Sequence, residues 1–72
     1  MNTMKKLSQR EDEIASLVIK GLTNKEIAKE LNISVHTVKA HLEEAFFKMQ
    51  VSNRVQLAVK YATDSKNRPL MN

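Results

Sequence analysis

The stretch from Thr23 to Leu42 limits what this chain can fold into more than any other part of it. It holds two short amphipathic segments, each opened by a hydroxyl residue, with space for only a tight turn between them. Thr23, followed three positions later by Glu26, has the form of a capping box: the hydroxyl accepts a backbone N–H and the carboxylate reaches back to the cap. Ile27, Ala28 and Leu31 then fall on one stripe of a helix about two turns long. Asn32 and Ile33 break the pattern, and Asn accepts the left-handed conformation that a sharp turn between helices requires. Ser34 is a good cap for the next segment, where Val38, Leu42, Ala45, Phe46 and Met49 keep a helical period up to Val51. Two helices joined in this way form a helix-turn-helix. On a small basic domain that motif points to DNA.

With its apolar stripe turned inward, the third helix presents its other face. At about 100° per residue, His36, Lys39, Ala40, Glu43 and Phe47 lie together opposite the core. The first three sit in the first two turns, the part of a recognition helix that reaches deepest into a major groove. Lys39 suits guanine O6 and N7 or a phosphate, Ala40 allows close approach and contact with a thymine methyl, and Glu43 suits a cytosine amino group. The alternative for this stripe is a solvated helix face of mixed charge. Phe47 is the one exposed aromatic; it is expected to pack, against the fourth helix or into space that the small Ala45 leaves, with a protein contact as the alternative.

Two further helices flank the motif. Ser8 and Glu11 repeat the capping-box form, and the run Glu11-Asp12-Glu13 suits the positive end of a helix dipole better than it suits a metal. Ile14, Leu17 and Val18 supply a core face, Lys20 sits in the last turn, and Gly21, the only glycine, is a natural stop. The fourth helix begins after Ser52. Its apolar residues form two groups, Leu57, Ala58 and Tyr61 for the core and Val55, Val59 and Ala62 for a partner subunit. The alternative is a wide core-facing stripe with scattered exposed valines. The reading is therefore an all-α, four-helix bundle-like domain with helices over 9–20, 24–31, 35–49 and 53–63. A flexible tail is expected over 1–6, the folded domain over 7–63, and a polar tail over 64–72.

Composition narrows the function classes. Seventy-two residues make one domain near the lower limit for unaided folding. Twelve Lys and Arg against eight Asp and Glu give a net charge of +4, which suits a polyanionic partner. There are no cysteines, which excludes disulfides and thiolate metal sites and fits a reducing cytoplasm. His36 and His41 stand about 140° apart round a helix and cannot easily share a metal. One glycine permits no glycine-rich phosphate loop, and nothing resembles a nucleophile with its base, so neither an enzyme nor a cofactor is expected. No apolar run is long enough for a signal-peptide core or a membrane span.

Leu7-Ser-Gln-Arg-Glu11, Gly21-Leu-Thr-Asn-Lys-Glu-Ile-Ala28, Ile33-Ser34, Thr37-Val-Lys-Ala-His41 and Asn53-Arg54 together resemble the LuxR/GerE-type DNA-binding domain. The blocks keep their order and spacing from about Leu7 to Ala62, which makes them far more specific than any one block. The resemblance implies four helices, the third in the major groove and the fourth supporting a homodimer. It implies base contacts from Lys39, Ala40 and Glu43, with His36 on the same face, and phosphate contacts from Asn24, Lys25, Thr37, His41 and Arg54. It further implies a bacterial transcription regulator, either free-standing or the effector half of a response regulator, with double-stranded DNA and RNA polymerase as partners and no small-molecule ligand in this domain. The sequence departs from the family pattern at Ala45, at Phe47, where a polar or basic residue is usual, and at Gln50, where Gly often ends the helix. Two other readings compete: a promoter-element reader similar to the fourth region of a sigma factor, and a protein-interaction module on the same frame.

Overall fold

The structure is a computed structural model that describes residues 6–66. Its helices are α1 (Gln9–Ile19), α2 (Asn24–Leu31), α3 (Val35–Met49) and α4 (Arg54–Lys66), with no strand among the described residues. Both predicted capping boxes are formed. Ser8 Oγ accepts from the Glu11 N–H at 3.1 Å while Glu11 Oε1 accepts from the Ser8 N–H at 2.9 Å. Thr23 and Glu26 repeat this at 3.1 and 2.8 Å. At α4, Asn53 Oδ1 accepts from the Gln56 N–H at 2.9 Å, and Gln56 reaches back to the Ser52 N–H at 2.7 Å.

The first three helices stop in the same way. A residue in the left-handed region, Gly21 (φ 92°), Asn32 (φ 59°) or Gln50 (φ 59°), reverses the chain. The next residue then donates back five positions: Leu22 to Leu17, Ile33 to Ala28 and Val51 to Phe46, at 3.2, 2.9 and 3.0 Å. Leu22, Ile33 and Val51 are each half-buried against the core, the apolar contact that accompanies such stops. Only one of the three positions is Gly. Gln50 takes the strain of a side chain in this region.

The core draws on every helix. Ile14, Ala15 and Val18 of α1, Ile27 and Ala28 of α2, Val38, Leu42, Ala45 and Met49 of α3, and Leu57 of α4 are all buried. Leu7, Leu17, Leu31, Phe46, Ala58 and Tyr61 pack against them from the edge. α1 touches the other three helices, and α3 packs against all of them too, so α3 is fixed along its length.

Two helix boundaries differ from the sequence reading. α1 ends at Ile19 rather than at residue 20, because Lys20 flattens (ψ −5°) into the turn that Gly21 completes. α4 starts at Arg54 and continues to Lys66, past residue 63 and into the stretch expected as a polar tail. Polarity alone does not end a helix: Thr63, Asp64, Ser65 and Lys66 include no Gly or Pro, and the Thr63 hydroxyl bonds the Val59 carbonyl at 2.9 Å. The rest of the two expected tails lies outside the described residues, apart from Lys6.

Candidate nucleic-acid interface

The turn Asn32–Ser34 sets α3 against α2. Ser34 caps α3, with its Oγ accepting from the Thr37 N–H at 3.0 Å and lying 2.9 Å from the Thr37 hydroxyl. From there Val38, Leu42, Ala45 and Met49 point into the core. The opposite side shows His36, Lys39, Ala40 and Glu43 to solvent, so the four side chains expected to touch bases share one exposed face. Lys39 forms no ion pair among the described residues, which leaves its ammonium available to an outside acceptor. Thr37 and His41 are half-buried on the flanks of this face.

A second set of polar groups gathers at the start of α2. Lys25 is exposed and Asn24 half-buried in its first turn, where the dipole favours an anion. Arg54, at the start of α4, donates to Asn24 Oδ1 at 2.7 Å and to the Leu22 carbonyl. It thereby ties α4 to the α1–α2 turn. With Oδ1 of Asn24 accepting from Arg54, its amide N–H groups are the donors left for another acceptor. The guanidinium expected to meet phosphate directly is thus committed, at least in part, to holding the frame.

The anchor of α3 was not legible from local pattern. Lys48 Nζ lies 2.8 Å from Glu11 Oε1, with the two side chains 17% and 6% exposed. Burial pushes the Glu11 carboxyl up, but the Lys48 ammonium and the Ser8 N–H outweigh it and hold the group below the ordinary carboxylate value. Glu11 therefore does more than answer the helix dipole: it joins α1 to the far end of α3. Asp12 likewise accepts from the Tyr61 hydroxyl at 2.5 Å, and Lys60 Nζ bonds the Met49 carbonyl at 2.9 Å where α3 ends. These partners are far apart in sequence or join different elements, and helical periodicity reports neither. The one available signal was that Lys48 stands beside Met49 at the edge of the core stripe.

On α4 the two apolar groups separate. Leu57 is fully buried, Ala58 and Tyr61 are half-buried against the core, and Val55 and Val59 are 72% and 62% exposed. Ala62, expected with the exposed pair, is half-buried. Phe47 is 69% exposed, which excludes one of the roles open to it in the sequence, completion of the core beside Ala45. Ala45 is itself buried, with Phe46 half-buried beside it. Among the described residues no helix is long and apolar enough to cross a membrane.

Known proteins share this arrangement. The family described as bacterial regulatory proteins, luxR family, matches residues 5–61. A putative HTH-type transcriptional regulator of Escherichia coli, YhjB, is 48% identical over 56 residues, covering 78% of this chain and 28% of the relative. The transcriptional regulatory protein LiaR of Bacillus subtilis is 49% identical over 53 residues, covering 74% and 25%. The chain thus spans about a quarter of the length of these curated relatives. Among solved structures, the response regulator ChrA of a heme-sensing two-component system superposes with a TM-score of 0.81 at 34% identity, covering 89% of this chain and 32% of that one. The transcription factor GerE superposes with a TM-score of 0.76 at 30% identity, covering 86% of this chain and 94% of that one. The chain belongs to the luxR family of bacterial regulatory proteins, and its helix-turn-helix is that family's DNA-binding unit.

Proposed function

We propose that this domain reads double-stranded DNA by laying α3 in the major groove. His36, Lys39, Ala40 and Glu43 face base edges, while Asn24, Lys25, Thr37 and His41 hold phosphates on either side. The observation that carries this reading is the division of α3 into a buried face, Val38, Leu42, Ala45 and Met49, and an exposed face that carries His36, Lys39, Ala40 and Glu43. Arg54 contributes to the phosphate clamp by orienting Asn24, with any direct contact coming from the donors it does not spend on the fold. Val55, Val59 and Ala62 join two copies across a dyad, setting two recognition helices about one helical turn, ~34 Å, apart on the duplex. The domain acts in the bacterial cytoplasm as part of a transcription regulator, with RNA polymerase as the machinery it influences. It performs no catalysis.

The test separates base contacts from phosphate contacts. Lys39→Ala is expected to weaken binding to a specific duplex by about 1–3 kcal/mol while changing non-specific binding far less. Lys25→Ala weakens both alike and lowers the dependence of log K on log salt by about one unit. Equal losses on every duplex for Lys39→Ala would remove Lys39 from base readout.

A further inference from the structure

The exposed side of α3 carries two carboxylates, Glu43 and Glu44, and neither makes a hydrogen bond or ion pair among the described residues. Glu44 stands four residues before Lys48, the spacing and order at which a glutamate and a lysine pair best along a helix. Lys48 is committed elsewhere, to Glu11 of α1 at 2.8 Å. Lys39, four residues before Glu43, forms no ion pair with it either. The fold leaves both carboxylates open to an outside donor. At about 100° per residue they lie about 130° to either side of the direction set by the buried Val38, Leu42, Ala45 and Met49, with Ala40 between them one turn earlier. One carboxylate therefore stands on each side of the exposed face.

Against a polyanion this is a costly place for a negative charge. An ionised carboxylate only accepts hydrogen bonds, and phosphate oxygens, guanine O6 and N7, adenine N7 and thymine O4 are acceptors too. The donors on major-groove edges are the N4 amino group of cytosine and the N6 amino group of adenine. Pressed against anything else, the carboxylate loses water and gains no partner. Each base pair shows one such amino group, on one strand only. A carboxylate fixed to one side of the helix faces one strand, and so separates cytosine or adenine there from guanine or thymine. We propose that Glu44 is a second acidic specificity-determining residue beside Glu43, accepting from an amino group of cytosine or adenine on the strand it faces and rejecting guanine or thymine in that place. Affinity for DNA in general falls, and selectivity rises. The inference rests on α3 being the recognition helix.

The test selects duplexes from a random pool at fixed salt with the wild-type 72-residue chain, Glu44→Ala and Glu44→Gln. Glu44→Ala is expected to lose the preference for cytosine or adenine at one position and to keep the rest of the site. Titrated on the selected duplex and on the same duplex with that base pair inverted, the wild type separates the two about 5–10-fold, the lower end for one base contact, and Glu44→Ala does not. The same variant binds a scrambled duplex more tightly than the wild type, because one charge repelled by phosphate is gone. Glu44→Gln moves the preference to adenine, whose N7 and N6 match an amide that both donates and accepts. Glu44 is exposed and both replacements are good helix formers, so circular-dichroism melting of the variants is expected to match the wild type. Variants that select the wild-type site unchanged would leave Glu44 a solvated charge and overturn the assignment, with α3 still the reading helix. Failure of the wild-type chain to enrich any site would overturn that reading as well.

Discussion

Replacing Lys48 by Met tests what holds the recognition helix in place. The substitution keeps the length and apolar stem of the side chain and removes its charge, so packing changes little. What is lost is a 2.8 Å charge-assisted hydrogen bond to a carboxylate whose side chain is only 6% exposed. A hydrogen bond to a charged group contributes about 1.5–3 kcal/mol, and breaking a fully buried ion pair costs about 3–5 kcal/mol. Glu11 keeps the Ser8 N–H at 2.9 Å, and Lys48 at 17% exposure still admits some water, so the lower part of these ranges applies. The expected destabilisation is about 2 kcal/mol, or about 8–16 °C in Tm for a domain of this size. Urea unfolding at pH 7 measures it directly, and the double variant Glu11→Gln/Lys48→Met should lose less than the sum of the two single changes. The pH dependence adds a second check. A carboxyl held below its ordinary value of 4.5 contributes stability above that pH and loses it as pH falls through the folded value. The gap between wild type and Lys48→Met should therefore be full at pH 7 and shrink below about pH 4.5. Single changes that add within about 0.5 kcal/mol, or a gap constant down to pH 3, would refute the pairing as the source of the effect.

Other expectations follow from single positions. Gln50→Gly relieves a left-handed side chain at the exit of α3 and should raise stability by about 0.5–1 kcal/mol, read as an increase in Tm; a decrease would mean that the entropy of the added glycine outweighs the strain. Val59→Glu places a charge on an exposed face of α4, so it should leave the monomer folded, by its helical circular dichroism, while shifting the species seen by analytical ultracentrifugation from dimer to monomer. A wild-type chain that is monomeric both free and on DNA would instead rule out this face as the dimer contact.

Local signals carried most of the fold. Ser8, Thr23 and Ser34 announced helix starts, Gly21 and Asn32 announced stops, and the apolar period of α3 identified Val38, Leu42, Ala45 and Met49 as core. Those features act within one helical turn, the range over which sequence spacing speaks. The interactions joining the helices, Lys48 to Glu11, Arg54 to Leu22 and Asn24, and Tyr61 to Asp12, depend on how distant turns meet and left no periodic trace. The end of α4 was misplaced because polar composition was taken as a stop when only Gly, Pro or a cap makes one. The angular position of Phe47 beside Lys39 and Glu43 placed it on the exposed face, where the structure has it, and of the roles its hydrophobicity suggested only completion of the core beside Ala45 is excluded by that exposure.

The central claim, that α3 reads bases, is tested most directly by selecting bound duplexes from a random pool at fixed, near-physiological salt and sequencing them. The account predicts an enriched inverted repeat with half-sites about one helical turn apart. A bound fraction with no sequence preference, held by charge alone and lost as salt rises, would contradict it.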